Sequence, residues 1–418
     1  MTTVQGSIDW RYKAFPEGSP SDLAEGRWNL FAGDLATPVL VLKESALTHN
    51  IEVMAEYCRA RGVSLAPHGK TYMSPEITSR QLDAGAWGVT AATASQVRIF
   101  RALGVSRILM ANQLLDPAGL AWVAAELAAD PGFDFFCLVD SGAGIEIMTE
   151  ELEASGLDRP LKVLVELGFE GGRSGCRTVE EAVTVARRVA TSPVLELAGV
   201  EGYEGIMDAG STEATMAGIT AFMGRVRDLV VRIAQQGAFD HLDEVLVSAG
   251  GSAFFDAVVD VLGQPWNTSV PVRLVLRGGC YATHDNGIYK RMSPFDGRGD
   301  GSRRLSAALE LWSTVTSRPE PGLALTNFGK RDASYDLELP VPLSVWRRAD
   351  RSVEAAPGME VVALNDQHAY VRLRDGGLEV GDMLCCGISH PCTSFDKWRL
   401  IPIVDDGYTV TGAAQTFF

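Results

Sequence analysis

The sequence predicts an α/β fold: a (β/α)₈ barrel of the TIM type followed by a C-terminal antiparallel β domain. Two observations carry this. From Thr37 to about Arg277, short apolar runs rich in β-branched residues alternate with amphipathic helical stretches. After Gly279 that rhythm stops, and strand-like segments follow one another without helices between them. The length, 418 residues, leaves room for a barrel and a second domain.

The candidate barrel strands, in order, are Val39-Leu42, Val63-Ala66, Gly88-Ala92, Arg107-Ala111, Phe135-Val139, Lys162-Leu167, Leu195-Glu201, Val245-Ser248 and Val272-Leu276. Helices such as Ala46-Arg61, Ala94-Leu103 and Glu213-Gln236 lie between them. Near-continuous apolar strands mean a parallel sheet covered on both faces, and eight βα units close into a barrel. Nine candidates are one too many, and Val39-Leu42 is the natural one to belong elsewhere. Met292-Arg304 is a polar loop with Gly297, Gly299 and Gly301. Beyond it the strands are Ala308-Val315, Leu323-Asn327, Val341-Trp346, Met359-Ala363, His368-Leu373, Asp382-Ile388, Leu400-Ile403 and Tyr408-Thr411. The domains are therefore drawn as residues 37–300 and 301–418, divided near Asp300, with residues 1–36 and the first strand packing on the second.

Composition bounds the function. An apolar fraction of 46% supports a large core and excludes bulk disorder. No apolar run reaches membrane-spanning length, and Met1 to Pro16 carries charges and aromatics in place of a signal-peptide core. Seven cysteines at irregular spacing then read as reduced thiols in a cytoplasmic protein. Cys385-Cys386 reads as two alternating side chains of a strand. The net charge of −16, with no basic cluster, argues against a nucleic-acid partner.

Barrel chemistry sits at the C-terminal ends of the strands. The second candidate strand runs into Ala66-Pro67-His68-Gly69-Lys70-Thr71. Lys70 is either a solvated loop lysine or a functional amine in the barrel mouth, with His68 placed to pair with it or tune it. A desolvated lysine can bond covalently to a carbonyl, which makes pyridoxal 5'-phosphate (PLP) a candidate cofactor. PLP needs a phosphate cradle. Ser248-Ala249-Gly250-Gly251-Ser252 and Arg277-Gly278-Gly279-Cys280-Tyr281 both follow barrel strands, and each is an ordinary βα turn or a contributor to such a cradle. Arg173, in Gly172-Arg173-Ser174-Gly175, is a surface arginine or an anion contact. Tyr203, in Glu201-Gly202-Tyr203-Glu204-Gly205, is a core tyrosine or a ring that flanks a pyridine.

Ser389-His390-Pro391-Cys392-Thr393 places an imidazole and a thiol two residues apart. In a strand those positions share a face. They are then a buried Cys and a satisfied His, or two ligands of one metal ion, with Zn²⁺ the first candidate and Mn²⁺ or another divalent ion possible. Two protein ligands leave positions for water or substrate, as catalysis requires.

On these pieces together the chain resembles the fold-type III PLP enzymes, with the alanine racemase barrel, and within them the D-serine dehydratase / D-threonine aldolase group. The carrying segments are Pro67-His68-Gly69-Lys70-Thr71, Gly172-Arg173-Ser174-Gly175, Ser248-Ala249-Gly250-Gly251-Ser252, Arg277-Gly278-Gly279-Cys280-Tyr281 and His390-Pro391-Cys392-Thr393. Where relatives often read Arg-Pro-Gly, this chain has Arg277-Gly278-Gly279. The resemblance implies a PLP-binding barrel that lends its first strand to the β domain, and a homodimer. It implies that Lys70 is the PLP lysine, with His68, Arg173, Tyr203, Ser248, Gly250, Gly251, Ser252, Gly279, Cys280 and Tyr281 around the cofactor. His390 and Cys392 become the metal pair. In the group, dehydratases pair His with Cys, whereas aldolases generally carry an acidic residue at the second position.

The expected activity is dehydration of a D-3-hydroxyamino acid, with D-serine giving pyruvate and ammonia. The alternatives are D-threonine or D-3-hydroxyaspartate aldol cleavage, or 3-hydroxyaspartate dehydration. A racemase, which needs a second base and no metal at the β-oxygen, and a non-catalytic PLP-binding protein are weaker readings.

Overall fold

The computed structural model describes residues 6–208, 210–296, 298, 301–374 and 377–418. The expected boundary residue Asp300, with Gly297 and Gly299, lies outside them. The chain forms two compact units. One comprises residues up to Met54, Thr71–Gln81 and Cys280–Phe418; the other comprises Ala55–Lys70 and Leu82–Gly279.

The first strand, β1 (Val39–Lys43), belongs to the first of these units. The second unit is the barrel. Its strands are β2 (Ser64–Leu65), β3 (Val89–Ala91), β4 (Arg107–Gln113), β5 (Asp134–Val139), β6 (Leu161–Leu167), β7 (Leu195–Gly202), β8 (Val245–Ala249) and β9 (Val272–Leu276). They pair in parallel in the order β2-β9-β8-β7-β6-β5-β4-β3. Just past β2, His68 bridges Thr90 of β3, and the amides of Trp87 and Thr90 donate to the carbonyls of Leu65 (2.7 Å) and Pro67 (2.9 Å). These bonds join the two ends of the sheet.

The strand sequences explain the ring. Apolar residues on both faces of each strand are buried, the inner ones by the barrel core and the outer ones by helices. Inside, Ala66, Leu109, Phe136, Leu138, Leu164, Ala198, Leu246 and Val275 pack together. Burying a side chain of Leu or Val size contributes about 1.5–3 kcal/mol. At Gly199 a Cβ would meet the Leu246 carbonyl oxygen of β8 at 1.8 Å, so β7 and β8 approach closely only because that residue is glycine.

The other unit holds a ten-stranded sheet. Its further strands are β10 (Leu309–Glu320), β11 (Leu323–Thr326), β12 (Val341–Trp346), β13 (Val353–Ala355), β14 (Met359–Leu364), β15 (Ala369–Leu373), β16 (Met383–Gly387), β17 (Leu400–Val404) and β18 (Val410–Gln415). β1 pairs antiparallel with β10 and parallel with β17. The remaining pairs are antiparallel. Val39 and Val41 of β1 join Ile8, Leu30, Trp312, Cys385 and Val410 in one buried cluster. Cys385 and Cys386 are consecutive, buried residues of β16.

One local expectation fails. The strand ends at Gly387, and Pro391 caps a short helix, Cys392–Phe395. His390 and Cys392 therefore do not share a pleated face. The proline cannot donate in a ladder and opens a helix instead.

Candidate active site

In the barrel unit, β2 delivers His68 and Lys70 through a tight turn, and Lys70 falls in the 3₁₀ segment Gly69–Thr71. The turn needs glycine, since a Cβ at Gly69 would lie 2.2 Å from the Phe100 ring. His68 is partly exposed as a residue, yet its Nδ1 is sealed from solvent without a hydrogen-bond partner. Burial, with the positive charges of Lys70 and Arg277, holds the imidazole well below its usual range, so it stays neutral.

The end of strand β7 and the two residues after it supply Glu201, Tyr203 and Glu204. Glu201 pairs with Arg277 at the end of β9, and both are buried. Burial pushes the Glu201 carboxyl up to about 8, with Arg277 pulling the other way. Glu201 Oε2 and Arg277 Nε are buried without hydrogen-bond partners. Tyr203 lies under two guanidinium groups, with the Arg173 and Arg277 carbons 4.5 and 5.6 Å from its ring centroid. Glu204 is wholly buried and accepts from the amides of Gly250 (3.1 Å) and Gly251 (2.7 Å). One strand back, burial raises the Glu166 carboxyl while Ser174 (2.8 Å) and Gln113 (2.6 Å) donate to it.

The expected residues of this unit therefore converge in part. Arg173 and Arg277 both lie over Tyr203, and the charges of the two arginines act on the neutral His68. Ser248 is turned into the sheet, where its hydroxyl donates to the Val275 carbonyl at 3.2 Å. Ser252 faces the Arg277-Gly278-Gly279 turn, and a Cβ on Gly278 would lie 3.5 Å from Ser252 Oγ. Glu201 and Glu204 were not anticipated as site residues. Their only signal in the sequence was their place at a strand end.

In the β-rich unit, His390 Nδ1 lies 2.6 Å from Asp336 Oδ2, and Thr393 Oγ1 donates to Asp336 Oδ1 at 2.7 Å. Burial works against the Asp336 carboxylate, but these two bonds hold it below its usual range. Asp336 is 54 residues from His390, and nothing in the sequence linked them. Cys392 Sγ lies 3.5 Å from Cys280 Sγ and 3.6 Å from Thr71 Oγ1. The Cys392 contact, then burial, raises the Cys280 thiol well above its usual range. Tyr281 is buried, and its hydroxyl accepts from Gln81 Nε2 at 2.8 Å.

The donors suit the groups expected. With Asp336 on its Nδ1, the His390 imidazole has one nitrogen left for a ligand, as metal-binding histidines do. Imidazole and thiolate together favour zinc. Among the described residues no three His, Cys, Asp or Glu side chains are arranged around a common metal position. Around Lys70, the unpartnered Nδ1 of His68 and Nε of Arg277 are polar atoms that a buried polar cofactor can satisfy.

Comparison with known proteins extends these observations. Residues 42–253 match the family model described as "Alanine racemase, N-terminal domain", and residues 308–404 match "Putative serine dehydratase domain". The chain is 27% identical over 355 residues to the 3-hydroxy-D-aspartate aldolase of Paracoccus denitrificans (strain Pd 1222), covering 84% of each. It resembles the crystal structure of D-threonine aldolase from Filomicrobium marinum with a TM-score of 0.75 and 25% identity, over 92% of this chain and 95% of that one. It shares the fold of D-threo-3-hydroxyaspartate dehydratase from Delftia sp. HT23 at a TM-score of 0.71 and 22% identity, over 93% and 99% of the two chains. No helix among the described residues is long and apolar enough to cross a membrane.

Proposed function

Because the chain belongs to the alanine racemase N-terminal domain family, we propose that it is a PLP- and zinc-dependent lyase of D-3-hydroxyamino acids. Within that class we propose dehydration, with D-serine giving pyruvate and ammonia. The observation that carries this reading is the His390-Pro391-Cys392 turn, in which Asp336 orients the imidazole beside a thiol.

Lys70, His68, Arg173, Tyr203, Ser252, Gly279, Cys280 and Tyr281 are the residues we assign to PLP, which when bound supplies an electron sink for charge left at Cα. Lys70 Nζ would hold the cofactor and is the amine we assign as base for the Cα proton. The neutral His68 adds no further positive charge beside that amine and can accept a hydrogen bond. Arg173 is exposed and lies over the Tyr203 ring, a position that suits an anionic group of cofactor or substrate. Arg277, fixed by buried Glu201, keeps a positive edge beneath Tyr203. His390 and Cys392 would hold zinc, which supplies Lewis acidity to the β-oxygen. Hydroxide leaves poorly, so assistance at that oxygen matters most for elimination.

Aldol cleavage is the second reading. It is supported by the names of the Paracoccus and Filomicrobium relatives. Cys392 favours dehydration, since an acidic residue is usual at that position in the aldolases.

Metal removal tests the assignment. Dialysis against a chelator is expected to abolish ammonia release from D-serine, and added Zn²⁺ to restore it; Cys392→Ala should not be restored. Unchanged turnover after chelation would remove the metal from the mechanism.

A further inference from the structure

Gly250 and Gly251 offer a pair of anion-binding amides, and a side chain already occupies them. Gly250 has φ +87°, a left-handed conformation that turns two successive amides toward one point. Glu204 fills that point, with Oε1 2.7 Å from the Gly251 amide and Oε2 3.1 Å from the Gly250 amide. The carboxylate is completely buried, a costly place for it without such donors. A phosphate arriving at the same two amides would have to expel this carboxylate or face its charge.

The packing shows that the arrangement is built in. A Cβ at Gly251 would meet Tyr203 Cε2 at 3.2 Å and Glu204 Oε1 at 3.6 Å, so the turn after β8 fits closely on the end of β7. The Gly250 carbonyl accepts from the Arg277 amide at 2.9 Å, which ties that turn to the end of β9. A Cβ at Gly278 would lie within 3.7 Å of the Ser252 Oγ, Cα and N atoms. The locked turn thus sets Ser252 against Gly278.

We propose that Glu204 is a positioning residue that permanently fills the amide nest of Gly250 and Gly251, so that Ser252 and the Gly278-Gly279 turn take the cofactor phosphate. This rests on the PLP reading above. Glu204→Gln keeps the size but presents an NH₂ group where one of the two amides needs an acceptor. Losing a charged hydrogen bond in a buried site typically weakens binding about tenfold or more.

The test uses the full chain, stripped of cofactor, in wild-type, Glu204→Gln and Ser252→Ala forms. PLP and pyridoxal binding are followed by absorbance, and inorganic phosphate binding by calorimetry. Glu204→Gln is expected to weaken PLP and phosphate about tenfold or more while pyridoxal, which lacks the phosphate, stays within about twofold. Ser252→Ala should shift the same two ligands and spare pyridoxal. Equal or tighter phosphate binding by Glu204→Gln would show an idle or competing carboxylate and overturn the proposal. So would a parallel loss of pyridoxal, which marks general loosening, or unchanged phosphate binding by Ser252→Ala. If the wild-type chain binds phosphate but neither PLP nor pyridoxal, the cofactor reading fails, and the phosphate titrations still decide the role of Glu204.

Discussion

Asp336 accepts from Thr393 and lies 2.6 Å from His390 Nδ1, so one carboxylate fixes the ring orientation of the proposed ligand. Asp336→Asn can keep one of these contacts but not the charge. Losing such a partner typically costs about 10–100-fold in metal affinity. Zinc competition against a chromogenic chelator should show a loss of that size, with the folded content unchanged by circular dichroism. At this scale the sequence was readable where a motif is local. Lys70 stands beside His68, and Cys392 stands two residues from His390. It was silent where partners are distant. Glu201 and Glu204 looked like ordinary strand-end acids, and their roles depend on Arg277 and Gly250, which only the barrel brings near.

The elements were largely legible because most barrel strands are apolar on both faces, whereas most helices keep a polar face. β13 was missed for the same physical reason: Val353, Glu354 and Ala355 are all exposed, so burial left no pattern to read. The turn after β16 was misread because a strand rule was extended past Pro391. The segment after Cys280 carries a pH prediction. Burial lowers His284 to about 4, so the unfolded chain binds a proton below about 6.5 that the folded chain refuses. Stability from this group falls as pH drops through that interval. Burial raises Asp285 to about 6, so the folded chain holds a proton that the unfolded chain lacks, and stability from this group rises as pH drops. The two nearly offset. Asp285→Asn removes the second and leaves the first. Between pH 7 and 4.5 the variant should lose about 2 kcal/mol more than wild type in urea unfolding. Parallel pH curves for the two proteins would contradict this.

For the whole molecule, the sequence showed nine barrel-like strands, and the extra one proves to be β1, paired with β10 and β17. Its apolar residues could not reveal which sheet it joins, because both sheets bury such strands. The family and the fold follow from residues spread along nearly the whole chain, but the reaction turns on a few of them. PLP chemistry alone permits racemisation, aldol cleavage or elimination, and the proposal of elimination rests on the His390–Cys392 pair. Product analysis decides between them. With zinc and PLP present, D-serine should yield pyruvate and ammonia in equal amounts, and D-threonine should yield 2-oxobutanoate without glycine. Glycine and acetaldehyde from D-threonine, with no 2-oxo acid from either substrate, would contradict the account.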